Sequence, residues 1–353
     1  WAGHDFNTAD IFADVMKAMR AQNIKEFRES VTKVGALDVN WVYSDRKGHI
    51  AYQLGSPINN RPFESRRLLS ADDSVACTHQ YLPLDQTPFE QDPERGFVAT
   101  ANNQIVSPAW QPPVRGFYDN WRITRITNLL KQDKQWSASD FRAMQFDSIS
   151  GLASRHIGLM QSAAEKLGDN ALAKEISAWN GDMSINQPMS HLFRYFWRFL
   201  PKAIFYDELG DDWESGHYVL EQMIANPHLS AIDNTQTKEI ETLQDVSAEA
   251  LKISLGYFKR GEASCYLKPT HPLSQVKILD YWLNLNPEKI PFPGDPGSIN
   301  QNFYVWNEEE GNFITAVAPS MRYTMDWSDI NKFSFYGNMG QSGNPFSEYY
   351  ASF

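Results

Sequence analysis

The period of the hydrophobic pattern changes twice along this chain, and that alternation limits its fold more tightly than any single motif. Thr8 to Arg20 carries Ile11, Phe12, Val15, Met16 and Met19 at helical spacing, with Thr8 or Asp10 placed to cap it. A shorter helical stretch follows at about Lys25 to Val34. The pattern then turns to period two with aromatics, from Val39 to Asp45 and from His49 to Leu54, around Arg46-Lys47-Gly48. Two such runs joined by a Gly-containing turn read as a β-hairpin. From about Pro57 to Arg115, Pro, Asn and Asp separate short apolar pieces such as Gly96 to Thr100, as in extended segments and loops.

A helical block comes next. Ser137-Ala138-Ser139-Asp140 has the form of an N-terminal cap, and Phe141, Met144, Ile149, Leu152, Ile157 and Met160 mark one long apolar face that stops at Gly168. Leu172 to about Phe205 and about Thr235 to Phe258 also read as helices. After Cys265 short strand-like runs return: Asn302 to Trp306, Phe313 to Val317 and Met321 to Met325. Strands, then helices, then strands are expected of a discontinuous α+β domain, its sheet-containing portion at 1–130 and 290–353 and a mainly helical insertion at 131–289.

The charge pattern excludes several partners. With 32 basic against 43 acidic residues the net charge is -11, the wrong sign for a nucleic-acid or anionic-membrane surface. No apolar run reaches the ~18 residues of a membrane span, and Trp1 to Asp5 has no signal-peptide pattern. Cys77 and Cys265 lie far apart without metal-ligand spacing, so they either pair or stay as two buried thiols. The eight histidines show no zinc-motif spacing.

The most informative stretch is Asn40-Trp41-Val42-Tyr43-Ser44-Asp45-Arg46-Lys47-Gly48-His49-Ile50-Ala51-Tyr52, followed by Gly55-Ser56-Pro57 and Arg61. On its own it is a hairpin whose first Asn satisfies nearby backbone and whose Arg is a surface residue. Yet it resembles the Asn-aromatic-x-Tyr-Ala-Asp-x-x-Gly-Asn-Ile-Gly-Tyr segment of the penicillin acylase family. Pro83-Leu84 with Pro93 to Asn103, Tyr118 to Leu130, Pro319 to Asp326 and Gly340 to Ser347 resemble further family segments in the same order.

This resemblance implies part of an αββα N-terminal nucleophile hydrolase fold, the C-terminal part of a β subunit, in a periplasmic or secreted amidase of N-acyl compounds. It implies that Asn40 donates to the oxyanion and that Arg61 supports the nucleophile site. A preorganised donor of that kind is typically worth on the order of 10²- to 10³-fold in rate. Family members expose an N-terminal Ser, Thr or Cys whose α-amine serves as its base. Residue 1 here is Trp, so the nucleophile is expected upstream, and this chain alone is expected to be inactive. The implied partners are the rest of the acylase, namely an upstream β segment and an α subunit, and a small N-acyl substrate. No cofactor is needed for the chemistry, and a structural calcium would take most of its ligands outside this chain.

Other readings remain open on sequence. The same scaffold could serve as a non-catalytic binding module. A carbohydrate-active site would need two facing carboxylates, for which Asp45 and Asp147 are arbitrary candidates. Asn102 and Asn103 are expected to satisfy a turn, the aromatics from Phe193 to Phe199 to pack a core, and Gly340-Gln341-Ser342-Gly343 to form a structural turn. His271 has no role that sequence assigns.

Overall fold

Caps and turn residues set most element boundaries in the computed structural model, which describes residues 8–34, 39–55, 57–63, 70, 72, 80–114, 119–228, 230–234, 237–286, 288–337, 340 and 342–350. The chain divides into two compact units, residues 1–135 with 325–332, and residues 136–324 with 333–353.

In the first unit, α1 (Thr8–Arg20) leads into α2 (Ile24–Val31). Asn23 caps α2: its side-chain oxygen accepts from Glu26 N at 3.0 Å, and the Glu26 carboxylate accepts from Gln22 N at 2.9 Å. The hairpin is β1 (Asn40–Ser44) and β2 (Ile50–Leu54), paired antiparallel with Trp41 opposite Gln53 and Val42 opposite Tyr52. Gly48 takes φ 88° in the turn, and the Asp45 carboxylate accepts from Lys47 N and His49 N at 2.8 and 3.1 Å. A third strand, β3 (Phe89–Gln91), pairs with β2 and puts Glu90 opposite Tyr52.

Alternation then sorts the side chains onto two faces. On one face Trp41 and Tyr43 meet Phe27 of α2, with ring centroids 6.2 and 5.1 Å apart. On the other, Tyr52 and Leu54 join Ile58 in a small core, against which Leu82, Val98, Ile105, Trp110 and Val114 pack. Helix α3 (Trp121–Leu130) follows.

The second unit holds α4 (Ala138–Gln145), α5 (Gly151–Lys166), α6 (Asn170–Ala178), α7 (Pro188–Leu209), α8 (Leu220–Ala225) and α9 (Leu243–Tyr257). Two expected helices are each divided. The apolar face expected to run on to Gly168 breaks at Phe146 to Ser150, because Ser150 turns out to cap α5 by accepting from Ala153 N at 3.0 Å. The stretch from Leu172 breaks at Trp179 to Gln187, where Pro188 starts a new helix. The last of the three starts at Leu243 instead of Thr235, set by the reciprocal cap of Thr242 and Asp245. Phe193, Phe196, Leu200, Met160, Ile176 and Leu251 are almost wholly buried, so most of the aromatic run on α7 is core.

The unit also holds β4 (Cys265–Leu267), α10 (Lys277–Leu283), β5 (Ile290–Pro291), β6 (Phe303–Asn307) and β7 (Asn312–Val317), with sheet order β5-β4-β7-β6 and β4 parallel to β7. Tyr195 and Phe199 of α7 pack on Cys265 and Phe313. A separate pair, β8 (Arg322–Thr324) and β9 (Ser334–Tyr336), completes the unit. Cys265 is a buried free thiol, and Cys77 lies outside the described residues.

A polar cluster is sealed inside this unit. Asp295, with no exposed surface, accepts from Ser150 Oγ at 2.7 Å and from Gly297 N at 2.9 Å. Arg194, 1% exposed, donates through Nη2 to Gly294 O at 2.8 Å. His191 Nε2 donates to Ile185 O at 2.9 Å, and its Nδ1 accepts from Ser264 N at 3.2 Å. Burial, then the Arg194 guanidinium, pushes the His191 imidazole down to about 4. Burial pushes the Asp295 carboxyl up, against its hydrogen bonds and Arg194.

Candidate active site

Asn40 opens β1 opposite Leu54 and is exposed. Because Leu54 and Tyr52 share a face of β2, the Tyr52 side chain reaches diagonally across the pair. Its hydroxyl donates to Asn40 Oδ1 at 2.5 Å. The amide is thereby oriented: its oxygen is engaged, while Nδ2 has no partner among the described residues. A side-chain N–H held in one direction at a strand end can donate to an acceptor without first reorganising.

Arg61 follows a short antiparallel bridge in which Leu82 N donates to Ile58 O at 2.8 Å and Asn60 N to Gln80 O at 2.7 Å. Arg61 is half-buried, and its Nε is shielded from water without a hydrogen-bond partner. Leaving a buried donor unmet costs roughly 1–3 kcal/mol. No hydrogen bond joins Arg61 to Asn40 among the described residues.

Three residues beside this site escaped the sequence reading. Gln53, 1% exposed, donates through Nε2 to Leu54 O and Thr87 Oγ1, both at 2.8 Å, which turns its Oε1 toward Arg28 Nε, also at 2.8 Å. Arg28 and Tyr52 line a cavity of about 730 Å³, with Phe89, Glu90, Arg95 and Trp110 among the other walls. Tyr52 was inside the quoted motif, but only the strand register shows that it reaches Asn40. Arg28 and Gln53 carry no sequence signal, being 25 positions apart.

The remaining expectations resolve locally. Asn103 accepts from Ala101 N at 3.0 Å and donates to Gln104 O at 3.1 Å, satisfying a turn, while Asn102 accepts from Arg122 at 2.7 Å. Asp45 closes the hairpin, and Asp147 accepts from Ile149 N at 3.1 Å in a turn, so backbone donors occupy both carboxylates singled out for sugar chemistry. His271 caps a short helical turn by accepting from Leu273 N at 3.1 Å. A Cβ on Gly340 would stand 1.8 Å from Tyr349 O, so the backbone approaches closely there; the turn expected at this point includes Gln341, which lies outside the described residues. Among the described residues, no group of three or more His, Cys, Asp or Glu could hold a metal ion. None of the described helices is long and apolar enough to cross a membrane.

Comparison with known proteins places the chain in a family. The family model for penicillin amidase matches residues 1–353. An acyl-homoserine lactone acylase, QuiP, of Pseudomonas fluorescens is 26% identical over 99% of this chain and 46% of its own length. A penicillin acylase 2 proenzyme of a Pseudomonas species is 24% identical over 98% of this chain and 46% of its own. The chain thus spans about half the length of these curated relatives. A thermostable penicillin G acylase from Alcaligenes faecalis superposes with a TM-score of 0.51 over 72% of this chain and 52% of its own, at 17% identity, so the two share a mixed α+β fold. On the match to the family model over all of its residues, this chain belongs to the penicillin amidase family.

Proposed function

We propose that this chain is part of an amidohydrolase that cleaves small N-acyl compounds through an acyl-enzyme, with Asn40 Nδ2 donating to the oxyanion and Arg61 ordering the reacting groups. The nucleophile and the rest of the acyl pocket belong, in this reading, to the half of the relatives' length that the chain does not span, on an upstream β segment and an α subunit. Attack on an amide carbonyl puts negative charge on its oxygen. A neutral donor already fixed in place stabilises that charge without reorganisation. Export to the periplasm is part of the same reading and rests on family resemblance.

The observation that carries the proposal is the hydrogen bond from Tyr52 to Asn40 Oδ1, which leaves Nδ2 as the free, oriented face of the amide. The test is Asn40→Ala in the intact enzyme, assayed on an N-acyl substrate. A fall in kcat of roughly 10²- to 10³-fold with little change in KM is expected. Unchanged kcat would sink the assignment.

A further inference from the structure

We propose that residues 273–283 of the second unit form a docking surface, and that its occupant is the part of the intact protein lying outside this chain. The proposal rests on the reading above, in which that part is a partner of this chain, and names the surface it covers.

The stretch carries an apolar face left in solvent. No residue of α10 is buried. Ile278, Tyr281 and Trp282, at the i, i+3, i+4 spacing of one helix face, are 66%, 84% and 72% exposed. Leu273, Val276 and Leu279 are exposed in the same stretch. The Tyr281 and Trp282 rings meet edge to face at 5.9 Å, and neither the Tyr281 hydroxyl nor the Trp282 indole N–H has a hydrogen-bond partner among the described residues. Single exposed apolar side chains are ordinary on a protein surface, whereas a contiguous group of them marks an interaction site.

The backbone under this face is held in place. Two bonds close the base of the stretch: His271 N donates to Asn286 Oδ1 at 2.8 Å, and the Tyr350 hydroxyl donates to the carbonyl oxygen of buried Leu285 at 2.9 Å. His271 also caps the first turn, its Nδ1 accepting from Leu273 N at 3.1 Å and its carbonyl from Ser274 Oγ at 2.7 Å. Asn284, at φ 45°, ends α10, and its N–H returns to Asp280 O at 2.8 Å. Polar bonds thus fix both ends of the stretch while the apolar side chains between them stay outside. A surface ordered before binding spares the association part of its entropic cost.

Charge and length choose the occupant. The stretch holds one base, Lys277, and one acid, Asp280, in a chain of net charge -11. A neutral centre rich in Trp and Tyr is what protein interfaces bury. A second copy would bring another net charge of -11 to the contact, and an anionic lipid surface would repel the chain in the same way. The chain matches only 46% of the length of QuiP, so in a protein of that size about half the polypeptide is at hand to cover the face. The occupant must offer an apolar surface to the two rings and acceptors to their two donors.

Hydroxyl-radical footprinting reads the exposure of each ring, with buried Trp179 as the internal reference. In this chain alone Tyr281 and Trp282 should react far faster than Trp179; in the intact protein both should lose that excess. Trp282→Asp guards against an indirect effect. The variant chain alone should keep its urea midpoint, because that ring stands in solvent, while the intact protein should unfold or dissociate at lower urea. Equal rates in the two forms, or an unshifted midpoint in the intact protein, overturns the proposal. So does protection of the chain alone that grows with its own concentration, the mark of a second copy, or that appears with phosphatidylglycerol vesicles, the mark of a lipid surface. If the intact protein cleaves no N-acyl compound, the amidase reading fails, and the footprint still decides the surface.

Discussion

His191 should make the helical unit acid-sensitive through a proton it cannot accept in place. Its Nδ1 accepts from Ser264 N at 3.2 Å, with Arg194 Nη1 3.4 Å away, and its Nε2 donates to Ile185 O. Protonating Nδ1 would set an N–H against an N–H and a guanidinium, inside a residue that is 4% exposed. That geometry agrees with an imidazole pushed down to about 4 from the ordinary 6.5 by burial and then by Arg194. The folded form stays neutral where the unfolded chain takes up a proton. Stability contributed by neutral His191 is therefore complete above about pH 6.5 and lost as the pH falls toward 4. At about 1.4 kcal/mol per pH unit the whole loss is bounded at ~3.4 kcal/mol, with ~2 kcal/mol of it reached by pH 5. Urea unfolding followed by Trp fluorescence at pH 7.5 and 5.0 measures it. Gln at position 191 has no proton to gain, so His191→Gln should show the smaller drop between the two pH values, whatever it costs at pH 7.5. Some drop will remain, because burial, then Arg198, also pushes His217 down to about 4. Asp295, pushed up by burial, works in the opposite sense as it protonates and is present in both proteins. An equal drop in wild type and variant would refute the reasoning.

Tyr52→Phe in the intact enzyme should lower kcat by less than Asn40→Ala does, since the amide loses its orientation and keeps its N–H; an effect as large as that of Asn40→Ala would mean that Tyr52 itself touches the reacting atoms. Gly55→Ala should destabilise the first unit by about 1–3 kcal/mol, read as a shift in the urea midpoint, because a Cβ there would stand 2.4 Å from Trp41 Nε1. Ser150→Ala removes both the cap on α5 and a hydrogen bond to buried Asp295, and should cost about 1–3 kcal/mol in the same assay.

Much of this architecture was legible because local chemistry wrote it. The hairpin followed from period-two aromatics around Gly48, and the span of α1 from its apolar spacing. Asn40 and Arg61 were readable as candidates only through the order of motifs that resembles the family. The divided helices were not legible, because the apolar faces of α4 and α5 run on in phase and the caps that part them are single residues. Ser150 and Pro188 end up deciding boundaries that hydrophobic periodicity runs through.

The sequence by itself determined the α+β character, the hairpin and the family, since these depend on the identity and spacing of near neighbours. Only the tertiary structure decided that Tyr52 turns the Asn40 amide, that Arg28 leans on Gln53 and Asp85 at the edge of a cavity, and that Asp295, Arg194 and His191 share one buried cluster. Each joins residues through strand register or helix packing. Such contacts depend on where the backbone brings the side chains, which no local pattern encodes.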